Sequence, residues 1–122
     1  MRHEIVIKRA YEPASKADGF RVLVDRLWPR GVSKADLHVK IWAREIAPST
    51  ELREWFGHDP DRWTDFRKRY RAELATPQTQ EMIHGIIKAA GDTKTITLVY
   101  GAKDTEHNEA VVLRDTFQQL DS

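Results

Sequence analysis

The chain contains no cysteine, which excludes disulfides, thiolate zinc sites, iron-sulfur clusters and cysteine nucleophiles. It has no run near the roughly 20 apolar residues that span a bilayer. Met1-Arg2-His3-Glu4 leads straight into a strand-like segment, unlike a secretory leader, so the expected compartment is the cytoplasm and no membrane partner is expected. Neither sign of charge prevails, with 20 Lys and Arg against 19 Asp and Glu for a net charge of +1. A generic DNA or RNA binder is strongly basic, so nucleic acid is not an expected partner. There is no Walker loop, no dinucleotide glycine motif, no G-x-S-x-G elbow and no H-E-x-x-H pair. No cofactor and no metal site are therefore expected.

What is present is enough for one folded domain over residues 1–122. Hydrophobic residues make up 40% of the chain, including four Trp, four Phe and three Tyr, too many large apolar groups for a disordered chain. Charge is uneven along it. Residues 26–73 carry eleven basic against eight acidic groups, whereas residues 92–122 carry three against six, a mild contrast that leaves room for a local anion pocket.

Glu4 to Lys8, Phe20 to Asp25 and Thr95 to Tyr100 read as strands, short and β-branched between turn-formers. Near-continuous apolar strands separated by helical stretches predict an α/β fold: a small, mostly parallel sheet flanked by helices. The connection from Arg9 to Gly19 is short for a crossover, so the first two strands are either antiparallel neighbours or not adjacent. Helices are expected from Ser49 or Thr50 to Phe56, from Asp59-Pro60 through Leu74, from Thr76-Pro77 to Ala90, and from about Glu106 to Leu120. Each has a capping residue or an N1 proline and an apolar stripe. Val39 to Ile46 fits an edge strand or an irregular helix.

Two loops concentrate chemistry. After the second strand comes Asp25-Arg26-Leu27-Trp28-Pro29-Arg30-Gly31, whose two guanidinium groups are suited to gripping a carboxylate or phosphate, with Asp25 able to orient one of them. The opposing reading has Trp28 filling a core gap and the arginines paired with surface acids. After the third strand comes Tyr100-Gly101-Ala102-Lys103-Asp104-Thr105-Glu106-His107-Asn108, where open α/β sheets place ligands. His107, expected in the first helical turn, is a candidate proton acceptor, and Asp104 and Thr105 read as caps. The assigned site is Tyr100, Lys103 and His107 as catalytic groups, with Arg26, Trp28, Arg30 and Asn108 binding the ligand. Trp55-Phe56-Gly57-His58-Asp59-Pro60 reads as a helix junction rather than a site.

These stretches, together with Ala47-Pro48-Ser49, resemble the signature segments of the YeaO-like family, a domain of unknown function numbered 488, over almost the whole chain. The resemblance implies a small bacterial α/β protein and adds no established reaction. Where the family typically carries Ala, this chain has Gly101. The expected function is an anion-accepting pocket at strand ends, serving a metal-independent enzyme that acts on a small phosphate- or carboxylate-bearing molecule. The alternative is a nucleic-acid or protein binding module without catalysis. Oligomeric state and substrate are not readable from the sequence.

Overall fold

Every strand of the sheet runs in the same direction. The computed structural model describes residues 2–121, and its four strands are β1 (Glu4–Arg9), β2 (Phe20–Leu23), β3 (Ile41–Trp42) and β4 (Thr95–Tyr100), in the order β1-β4-β2-β3. β4 is central and pairs with β1 from Glu4↔Thr95 to Arg9↔Tyr100, and with β2 from Phe20↔Ile96 to Leu23↔Val99. The first two strands are therefore not neighbours, and the last strand in the chain lies between them. Because β4 has partners on both sides, it is buried along its whole length, which is why it reads as an uninterrupted β-branched and apolar run.

Side chains alternate across the sheet. Ile5, Val22, Ile96 and Leu98 point into the main core, which is completed by helices α2 (Thr50–Phe56), α3 (Trp63–Leu74), α4 (Pro77–Ala90) and α5 (Glu109–Leu120). Leu23 and Val99 point the other way, into a smaller cluster with Leu37 of the short helix α1 (Lys34–Leu37) and with Trp28 and Trp42. The two faces are thus unequally covered, because the second is closed by α1, the short 3-10 helix Lys16–Asp18 and loops.

The helix signals act as their chemistry requires. Ser49, Thr76 and Asn108 accept backbone N–H groups in the first turns of α2, α4 and α5, and Pro77 stands at the start of α4. Phe66, Tyr70 and Leu74 form the buried stripe of α3, with Trp63 partly buried beside them. The segment 39–46 combines both expected forms, with β3 as an edge strand followed by a 3-10 turn at Arg44–Ile46. The last helix begins later than expected, at Glu109. Asp104 instead draws the N–H groups of Glu106 and His107 onto its own carboxylate, at 2.9 and 3.0 Å, in a turn that competes with helix formation. His107 therefore precedes the helix rather than lying in its first turn.

Candidate functional site

A cavity of about 240 Å³ opens at the carboxyl-terminal edge of the sheet. Its walls come from the segments that leave β2 (Asp25 to Leu27), β3 (Ala47, Pro48) and β4 (Gly101, Ala102), and from the helical region behind them (Arg53, Phe56, Phe66). Parallel strands deliver successive loops to one edge, so distant segments meet here. A wider depression of about 740 Å³ is lined by Arg2, Arg71, Gln80 and Asp115; the residues following the strands do not reach it.

The cavity is built around two acids. Asp25 follows β2, and one of its carboxylate oxygens accepts the Gly101 N–H at 2.8 Å, while its backbone carbonyl accepts the Trp42 indole N–H at 2.8 Å. The end of β2 is thereby tied to β4 and β3. Gly101 permits this approach, since a Cβ there would stand 2.9 Å from the same carboxylate oxygen. Glu109 opens α5 behind the Asn108 cap. Its carboxyl group lines the same cavity as that of Asp25, and burial first, then Asp25, pushes it well above the usual carboxylate range.

Basic groups line the same cavity. Arg26 donates from Nε to the Pro48 carbonyl at 3.1 Å and from Nη2 to the Ala47 carbonyl at 3.3 Å, which fixes its guanidinium against the turn after β3. Arg53 projects from α2 into the cavity lining from an exposed position. His58 reaches the lining because Gly57 and His58 both have positive φ, 53° and 57°, and turn the chain sharply after α2.

The residues singled out in the sequence divide among three places. Arg26 and Asn108 line the cavity. Trp28 lies on the other face, edge-on to Trp42 with ring centroids 5.4 Å apart and its indole N–H on the Val32 carbonyl at 2.6 Å. Arg30 is exposed beyond it, its carbonyl accepting the Tyr11 hydroxyl at 3.1 Å. Trp28 and Arg30 are thus not joined to Arg26: Trp28 is held in the second-face cluster with Trp42 and Val32, and Arg30 follows it out to the surface. Tyr100 is buried in the main core, and burial raises its hydroxyl above the ordinary range. Lys103 is exposed. His107 bonds through Nδ1 to Asp104 at 2.9 Å and meets the Trp63 ring edge-on at 5.3 Å, which puts it one aromatic ring behind the cavity wall. The backbone N–H of Glu106, then the His107 side chain, hold the Asp104 carboxyl below its usual range.

Four ionisable cavity residues escaped the sequence assignment: Glu109, Arg53, His58 and Asp25 as an acid in its own right. A glutamate just after a cap is an ordinary helix start. Arg53 and His58 likewise look like surface groups around a helix end, and no local signal separates them from that.

Among the described residues no group of His, Cys, Asp and Glu is arranged to hold a metal ion, and no helix is long and apolar enough to cross a membrane. The fold and its cavity define the class as a small α/β protein with an all-parallel sheet and a polar-floored pocket at the strand ends. The family described as "Inactive DUF488-N3 subclade" matches residues 4–121, and the chain belongs to it. It is 44% identical over 117 residues, 95% of this chain and 98% of the relative, to the "Uncharacterized protein YeaO" of Escherichia coli (strain K12). It is also 52% identical over 68 residues, 56% of this chain and 58% of the relative, to the "Uncharacterized protein Rv3073c" of Mycobacterium tuberculosis (strain ATCC 25618 / H37Rv). No solved structure matches it significantly.

Proposed function

We propose that this protein binds a small anionic molecule, carrying a phosphate or carboxylate group, in the cavity at the carboxyl-terminal edge of its sheet. The observation that carries this reading is the convergence of two guanidinium groups, Arg26 and Arg53, on one cavity at the strand ends. Guanidinium groups grip carboxylate and phosphate oxygens well, and burial and Asp25 hold the Glu109 carboxyl toward its neutral form, which lessens the negative charge they must outweigh. Arg26 supports the role because its Nε and one Nη2 contact are already spent on backbone carbonyls, which holds the group in place before any ligand arrives.

Binding without turnover is favoured over catalysis. The family description contains the word "Inactive", and Tyr100, Lys103 and His107, the proposed proton-transfer groups, are not among the lining residues. A nucleic-acid surface is less well supported. Trp55 already has the guanidinium groups of Arg62 and Arg69 over its ring at 5.3 and 4.2 Å, which competes with the stacking of a base.

Titration of the isotope-labelled protein with acetate and with inorganic phosphate tests the proposal. Amide shifts are expected to be confined to Gly101, Ala102, Asn108 and their neighbours, and to weaken in Arg53→Ala. Shifts scattered over the surface, or none with any carboxylate or phosphate, would overturn it.

A further inference from the structure

The walls of the cavity say more about its occupant than its charges do. Phe56 and Phe66 are buried main-core residues that also line it, joined by Pro48 and Ala102. At its mouth stands Leu27, which is 62% exposed and one of only three exposed large hydrophobic residues among those described. An exposed leucine is unremarkable alone. One that completes an otherwise apolar wall beside two guanidinium groups has a reason to be there, namely contact with a ligand. Ligand sites commonly combine such a wall with a few convergent polar groups.

Resting on the anion-binding reading above, we propose that the ligand is a compact organic monocarboxylate with an aromatic or branched apolar body. The body packs on Phe56 and Leu27, and the carboxylate meets Arg53. Size excludes larger classes. The volume of about 240 Å³ falls below the roughly 300–1,000 Å³ of pockets for drug-sized molecules, so a nucleotide does not fit within it. Charge discriminates against inorganic phosphate. A carboxylate brings one negative charge, whereas phosphate near neutral pH is partly doubly charged and is repelled more strongly by the two acids, Asp25 and Glu109, in the cavity lining. Phosphate also leaves the aromatic wall uncovered, and apolar burial is the larger source of affinity for a ligand of this size. Charge likewise separates the carboxylate from an amine of the same shape, which the two arginines repel.

The experiment is a matched series on the full chain, followed by amide shifts: benzoate, benzylamine, acetate and inorganic phosphate. Benzoate is expected to saturate shifts at Gly101, Ala102 and Asn108 and to bind at least about tenfold more tightly than acetate or phosphate, through burial of its ring. Benzylamine is expected to leave these amides unmoved. Arg53→Ala is expected to weaken benzoate by about tenfold, as loss of a charged hydrogen-bond partner does. If phosphate or acetate binds as tightly as benzoate, the apolar body has no role; the ligand-class proposal falls while the anion site stands. If benzoate binds in the cavity but Arg53→Ala binds it equally well, the head group is misassigned and the proposal falls. Preference for benzylamine, or no response to any probe, would overturn both this inference and the anion-binding reading.

Discussion

Asp18 and Asp25 both sit close to the sheet, and their surroundings are opposite. Asp18 bonds to Lys8 Nζ at 3.0 Å, to Arg21 Nη1 at 2.7 Å and to the Ser15 N–H at 2.9 Å. Burial pushes its carboxyl up; the Ser15 N–H, Lys8 and Arg21 overcome this and hold it below the usual range. Asp25 has a backbone N–H on one oxygen and a second acid, Glu109, as its partner. The first acid is compensated, and it fastens β1, β2 and the turn before β2 to one another. The second is under-compensated and faces a cavity, an arrangement that costs stability and is usual at binding sites. In this protein the state of its acids therefore separates scaffold from site.

The largest test of that contrast is Asp18→Ala. It leaves Lys8 and the nearly fully buried Arg21 without their counter-ion, and it is expected to cost about 3–5 kcal/mol in a denaturant melt. A loss under about 1 kcal/mol would mean that water compensates these cations and that the contrast is not energetic.

Asp121 stands between the two cases, because its cation is conditional. His3 offers Nδ1 to Asp121 at 2.8 Å and Nε2 to the Gly91 carbonyl at 2.7 Å. Both partners only accept, so the ring must be imidazolium. Its hydrogen bond to Asp121 raises the His3 pKa above 6.5. The folded state therefore keeps a proton that the unfolded chain releases. The stabilisation is complete below the unfolded value and disappears as pH rises through the raised one. His3→Ala is expected to cost about 1.5–3 kcal/mol near pH 6, with the gap to the parent closing as the pH of the melt is raised. A gap independent of pH would mean that the ring contributes by packing alone.

Glu109→Gln sharpens the comparison from the other side. The raised Glu109 carboxyl destabilises the fold increasingly as pH rises above its ordinary value of 4.5. An amide keeps a donor toward Asp25 and removes that dependence. The variant is expected to be more stable near neutral pH by on the order of 1 kcal/mol, with the difference vanishing in acid. Equal or lower stability at neutral pH would show that the pair is not short of compensation.

The smallest expected effect is that of Gly101→Ala. The added methyl group presses on the Asp25 carboxylate, so a stability loss of about 1 kcal/mol or less is expected, together with weaker anion shifts at Asn108. Unchanged binding would remove Asp25 from the site.

Much of the scaffold was legible because its signals are local. A cap acts within three residues, as Thr76 does on Thr79, and a helical stripe such as Phe66, Tyr70 and Leu74 repeats over a few turns. The start of α5 was misread where two local signals competed, the Asp104 turn and the Asn108 cap. The site was legible in part. That loops after strands meet at one edge follows from a parallel sheet, which brings Arg26 and Asn108 to one cavity, but which face Trp28 takes depends on its packing against Trp42 and Leu37 across the sheet.

By itself the sequence determined the chemistry on offer: no thiol, two loops rich in polar and charged groups, strands apolar enough to be covered on both faces, and helices with defined starts. Only the tertiary structure decided which of those groups meet. β4 enters between β1 and β2 and brings Gly101 onto Asp25, 76 residues earlier in the chain, with Glu109 beside them. Two acids lining one cavity are a property of their separation in space. No composition, cap or period encodes that distance, because strand order is settled by the packing of the whole core.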